Sequence, residues 1–188
     1  MSLNKSLNQC FFLFAIYCFS SVPAYADNHG GTFGLHFYNG KETGNSDPMQ
    51  RYTLTWSFDK KWLESDNGYL TGRWELSHTR WELYLQEDNT GWALNPVFRY
   101  VIPANRFTDV KNVYYFFDAG IGVIKLDHRG FEQRDLGSKW LFEDKLAAGI
   151  GFGKHYELAL SWVHYSNANL AGVNDGASMF AVNYALTF

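Results

Sequence analysis

Beyond its first 26 residues this chain has no cysteine. Its two, Cys10 and Cys18, both fall inside that opening segment. The rest of the chain therefore has no disulfide to staple it and no thiolate to act as nucleophile or ligand. Excess positive charge is missing as well: 16 Lys and Arg against 19 Asp and Glu leave a formal net charge of −3, so nothing points to nucleic acid. No apolar run after residue 26 approaches the ~20 residues of a membrane-spanning helix. His36, His78, His128 and His155 show no metal-ligand spacing and read as surface or interior residues.

Residues 1–26 read as a secretory signal. Lys5 supplies a basic start, "CFFLFAIYCFSSVP" an apolar stretch, and "AYA" before Asp27 a cleavage site. The apolar stretch is too short for a spanning anchor, and neither cysteine sits in a lipobox-like setting. The expected mature chain, 27–188, has the length of one domain.

Aromatic residues are abundant, at 19% with seven tryptophans, yet mean hydropathy is negative, at −0.28. An exported, cysteine-free, aromatic-rich chain of alternating polarity predicts an all-β, eight-stranded antiparallel transmembrane β-barrel. In "TFGLHFY" Phe33, Leu35 and Phe37 share one face; in "YTLTWSF" Tyr52, Leu54, Trp56 and Phe58 do. The same alternation runs through "LTGRWELSH", "WALNPVFRY", "YYFFDAGIGVI" and "WLFEDKLAAGIGF", where Asp144 interrupts the apolar face and reads as near a membrane boundary. "LALSWVHYS" is the seventh strand and "SMFAVNYALTF", ending in Phe188, the eighth. Closure leaves no backbone group unpaired in lipid.

Eight strands enclose an interior that side chains fill, so a through-pore is not expected. The inward set Arg73, Glu75, Arg99, Asp118, Glu143 and Lys145 should pair there. "GIGFGK" lies within a strand and precedes no helix, which rules out a phosphate loop; its glycines relieve crowding in a narrow lumen. The tryptophans read as interfacial girdles. With both termini periplasmic, "GKHYE" is a periplasmic turn and "NANLAGVNDGA" the last extracellular loop. The inner turns "KKWLESDNG" and "IPANRFTDVKN" are long for this architecture.

On the seventh strand Leu158, Leu160 and Trp162 are followed on the same face by His164 and Ser166. Residues i and i+2 are ~6.6 Å apart at Cα and point the same way, so an imidazole can reach a serine hydroxyl and act as its base. The pair would stand about 20 Å up a hydrocarbon band of about 25 Å, near the outer-leaflet interface. Ester hydrolysis or acyl transfer on a membrane lipid is the chemistry such a pair supports; an inert interfacial His and Ser is the alternative.

The longer pattern "HYSNA…NDG", with "FEDKLAAGIGFGKHYELALSWVHYSNANL" upstream, resembles the PagL-type lipid A 3-O-deacylases. The resemblance implies an outer-membrane hydrolase acting on lipopolysaccharide at its lipid-facing wall, without a cofactor. It implies Ser166 as nucleophile, His164 as base, and Asn167 and Asn174 as site support or oxyanion donors. Where the family carries an acid fourteen residues after the histidine, this chain has Ser178. Asp175 is one candidate replacement; another acid, a Ser–His dyad, and a weak or non-catalytic lipopolysaccharide-binding barrel remain open alternatives. Homodimerisation through the lipid-facing wall is a further expectation.

Overall fold

The computed structural model describes residues 33–44, 47–106, 112–131 and 134–188; the predicted signal segment, 1–26, lies outside them. Eight long strands follow the alternation: β1 (Phe33–Glu42), β2 (Pro48–Ser57), β3 (Gly68–Trp81), β4 (Asn89–Pro103), β5 (Val113–Leu126), β6 (Trp140–Phe152), β7 (Tyr156–Ser166) and β8 (Ala177–Thr187). Each pairs antiparallel with its chain neighbours, and β8 pairs with β1, so the sheet closes. The registers place Leu35 opposite Leu186 and Leu54 opposite Leu76, keeping the apolar sets of adjacent strands on one face.

That face is outside. Ile121 and Leu160 are about two-thirds exposed, at 67% and 68%, and Leu54, Phe98, Phe117 and Phe180 are exposed around them. A continuous apolar exterior on a closed barrel suits hydrocarbon rather than water. Aromatic residues gather towards both ends of the wall. Trp56 packs against Trp74 at 6.2 Å, with Phe58 edge-on to Trp74, while Trp92 meets His78 at 4.8 Å. Trp81 departs from the girdle expectation: it is fully buried in the lumen.

The lumen has two zones. In the first, the six predicted inward charges are all paired. Lys145 Nζ reaches Glu75 at 2.6 Å and Tyr38 Oη at 2.5 Å; Arg73 bridges Glu75 and Asp118, each at 2.7 Å. Arg51 and Glu157, which the strand reading did not single out, complete the set. Arg51 forms a two-pronged pair with Glu143, 2.6 Å on each arm, and Arg99 joins Asp118 to Glu157. In the second zone, at the end carrying the outer loops, an apolar plug of Trp81, Met49, Phe131, Leu136, Tyr165 and Met179 fills the barrel. Phe131 and Leu136 come from the β5–β6 loop, which folds over the opening as a small hairpin, Gly130–Phe131 with Arg134–Asp135.

The glycines of β6 face this crowded interior as expected. A Cβ on Gly151 would come 2.0 Å from the Tyr114 ring, and one on Gly149 would come 2.4 Å from Phe116. Two boundaries moved outward from the sequence reading. β3 continues to Trp81 and β4 begins at Asn89, because both side chains point into the lumen and are buried there. The long turn after β2 holds a short strand, Trp62–Ser65, that folds back on the start of β3.

Candidate active site

β7 carries His164 and Ser166 outward, in phase with Trp162, and all three are partly buried. The neighbouring strands decide what flanks the imidazole. In the β7–β8 register His164 lies opposite Ser178; in the β6–β7 register it lies opposite Asp144. The Nδ1 atom of His164 is 2.9 Å from Ser178 Oγ. The ring also stacks on Trp162, centroids 5.7 Å apart and planes 10° from parallel. One face of the ring lies on an indole and Nδ1 meets a hydroxyl, while Nε2 makes no hydrogen bond among the described residues.

The loop 167–176 closes over this group in an irregular path. Ala168, Asn169, Gly172 and Gly176 all have positive φ, which for alanine costs about 1–2 kcal/mol and requires support. Asn167 provides much of it. Its side chain is buried, and Nδ2 donates to the carbonyls of Leu136 at 2.7 Å and Val173 at 2.5 Å. Its backbone N–H donates to Asn174 Oδ1 at 3.0 Å. Both asparagines therefore hold the loop, and the Asn167 amide hydrogens are spent on carbonyls. Among the described residues, the N–H groups of Ala168 and Asn169 make no hydrogen bond, whereas Leu170 N–H bonds back to Asn167 O.

Loop 167–176 is also clamped by the β5–β6 loop. Asp135 and Asp175 exchange two bonds: Asp135 N–H donates to Asp175 Oδ2 at 2.8 Å, and Asp175 N–H to Asp135 O at 3.2 Å. Arg134 donates to Gly176 O at 3.0 Å and pairs with Glu42 at 3.1 Å. Gly176, with φ +62°, passes the imidazole so closely that a Cβ would sit 3.1 Å from His164 Cε1. The structure thus holds His164 against Ser178, with Ser166 two residues along on the same strand face. It directs the Asp175 carboxylate to the Asp135 amide and gives the Nδ1 position to Ser178. The turn at Gly176 is the reason: it separates Asp175 in the loop from the start of β8.

Asp144 was read as marking a membrane boundary. Its place beside His164 could not be seen locally, because it depends on the β6–β7 register. The interruption of an apolar face by a carboxylate was the signal available. Among the described residues no cluster of three or more His, Cys, Asp or Glu could hold a metal ion.

Comparison with known proteins bears on the fold and the family. Residues 49–187 match the family model of the lipid A 3-O-deacylase PagL. The lipid A deacylase PagL of Pseudomonas aeruginosa is 32% identical over 147 residues, covering 77% of this chain and 80% of that protein. The Bordetella bronchiseptica protein of the same name is 25% identical over 167 residues, covering 89% of each. The crystal structure of the outer membrane enzyme PagL superposes with a TM-score of 0.74 at 30% identity, covering 81% of this chain and 97% of that one. The chain is an outer-membrane β-barrel enzyme, an ester hydrolase belonging to the lipid A 3-O-deacylase (PagL) family.

Proposed function

We propose that this enzyme hydrolyses the ester-linked acyl chain at the 3-position of lipid A, with Ser166 as nucleophile, His164 as base and Ser178 as the residue that orients the base. The observation that carries this reading is the outward-facing His164–Ser178 hydrogen bond of 2.9 Å, with Ser166 on the same face. An ester in the outer leaflet meets that face without leaving the membrane.

In this reading His164 is neutral, with its Nδ1 proton donated to Ser178 Oγ and Nε2 free as acceptor. Ser166 Oγ attacks the ester carbonyl carbon while Nε2 takes the hydroxyl proton. The carbonyl π electrons move to oxygen, and the N–H groups of Ala168 and Asn169 stabilise that oxyanion. Collapse breaks the ester C–O bond, and the imidazolium returns the proton to the sugar alkoxide. Water, deprotonated by Nε2, then attacks the acyl-serine carbonyl carbon; the Ser166 C–O bond breaks, the imidazolium returns the proton to Ser166 Oγ, and the fatty acid leaves. Ser178 preserves the correct tautomer but brings no charge to the imidazolium. Asp144 lies opposite His164 on the other flank, at the strand-neighbour Cβ separation of ~4.5–5.5 Å.

Mass spectrometry of lipid A from cells producing the wild type and Ser166→Ala tests the reading. Wild type should remove one 3-linked acyl chain and the variant none; an unaltered lipid A profile with folded wild-type protein refutes it. A second reading, a barrel that binds lipopolysaccharide without turnover, is favoured by the lack of a carboxylate at 178. Labelling of Ser166 by an acyl phosphonate in wild type, but not in His164→Ala, would exclude it.

A further inference from the structure

At the end of the barrel opposite the site, where β1 begins and β8 finishes, the lumen opens into a polar cavity of about 480 Å³. This is the periplasmic end in the orientation read from the sequence. Its walls carry an excess of cationic groups. Lys60 and Lys154, from the turns after β2 and β6, stand at its mouth, and Arg73 and Arg99 form its floor. The lining acids are Asp59 and Glu157. Glu157 is already committed: Arg99 donates to it at 2.9 Å and Tyr114 Oη at 2.8 Å. Lys61 is paired with Glu64 at 3.8 Å and lies over the Tyr69 ring. Among the described residues Lys60 and Lys154 make no ion pair, and they face a single uncommitted acid, Asp59.

Two buried groups lining the cavity are left incomplete. His36 is 4% exposed, and its Nδ1 has no hydrogen-bond partner among the described residues. That nitrogen is itself enclosed, so it offers a ligand in the cavity no contact. Arg73 bonds to Glu75 and Asp118 through Nε and Nη2, and none of these bonds uses Nη1. Exposed cations at a mouth, with a free guanidinium nitrogen inside, form a converging set of donors with few acceptors. Such a set recognises a tetrahedral oxyanion, whose oxygens accept several charge-assisted bonds at once.

We propose that this cavity is an anion site for a phosphate group, held by Lys60 and Lys154 at the rim and by Arg73 within. The phosphate has two sources at this level of the membrane: the diester of a phospholipid headgroup in the inner leaflet, or a free phosphate in the periplasm. The site uses none of the outward-facing residues on β7, so its failure would leave the deacylase reading untouched.

Calorimetric titration of the folded full barrel in a maltoside detergent, which carries no phosphate, tests this. The probes are inorganic phosphate and glycerophosphoglycerol. Saturable binding is expected, weakened at least tenfold in Lys60→Gln/Lys154→Gln, with deacylation unchanged in that variant. These lysines lie in turns outside the long strands, so the variant should fold as wild type. Tighter binding of the diester supports the site and identifies a lipid headgroup; tighter binding of inorganic phosphate supports it and identifies the free ion. No saturable heat with either probe, or equal binding by the double variant, overturns the proposal.

Discussion

Replacing Ser178 by glutamate puts a carboxylate where His164 Nδ1 now meets a hydroxyl at 2.9 Å. The effect can be worked from the bond. A neutral hydrogen bond contributes about 0.5–1.5 kcal/mol net, and one to a charged group about 1.5–3 kcal/mol. The Ser178 bond therefore strengthens by about 1–1.5 kcal/mol as the imidazole becomes cationic. Only that increase lowers the barrier, and it corresponds to about tenfold in rate. Ser178→Ala loses this and the fixed orientation of the ring, so kcat should fall about 10–100-fold with KM little changed. A carboxylate at about 4 Å from the imidazolium gains about 4 kcal/mol at an effective dielectric of 20. Part of this is offset by holding the charge in a half-buried position beside an apolar wall. Ser178→Glu should therefore raise kcat by about 10–100-fold. The assay is the rate of fatty-acid release from lipid A in mixed micelles, with barrel folding checked by heat-modifiable gel mobility. If the alanine and glutamate variants both fold and both stay within about twofold of wild type, Ser178 does not orient the base.

Four further perturbations have defined outcomes. Asp175→Asn keeps the acceptor for the Asp135 amide, so the same assay should show less than about a threefold change; a fall near 10⁴, the cost of losing an orienting acid elsewhere, would make Asp175 the acid after all. Asn167→Ala strips the donors from the Leu136 and Val173 carbonyls; activity should drop at least tenfold at an unchanged barrel melting temperature, and an equal loss of both would contradict a local role. Lys145→Met leaves Glu75 without one of its two cations and should destabilise the barrel by about 3–5 kcal/mol in urea titration. Gly151→Ala drives a methyl into the Tyr114 ring and should cost about 1–3 kcal/mol, relieved by a second change, Tyr114→Ser.

The strands were legible because their signal is local. Alternation along "YTLTWSF" or "YYFFDAGIGVI" assigns each side chain to a face without reference to any other strand, and the observed burial follows it. The ends of β3 and β4 were less legible. "RWELYLQEDNT" is polar enough to read as loop, and only a lumen with room for Trp81 and Asn89 carries both strands further. Arg51 and Glu157 were passed over for a related reason. Each sits near the end of its apolar alternation, and its partner, Glu143 or Arg99, lies across the lumen. The outer-end plug was also hidden, since Phe131 and Leu136 belong to a loop that turns back into the barrel.

For the site, the order of residues along one strand was enough to put His164 and Ser166 together on the membrane-facing wall, because a strand's period of two is intrinsic to its backbone. The resemblance to the family added the expectation that Ser178 stands where the family carries an acid. What surrounds the imidazole required three strands and two loops. Pairing registers set Ser178 on one side of His164 and Asp144 on the other. The clamp between the β5–β6 loop and loop 167–176 drew Asp175 to Asp135. Cross-strand and loop–loop neighbours are fixed by closure of the whole barrel, which sums weak preferences over eight strands, and no single stretch of sequence contains that sum.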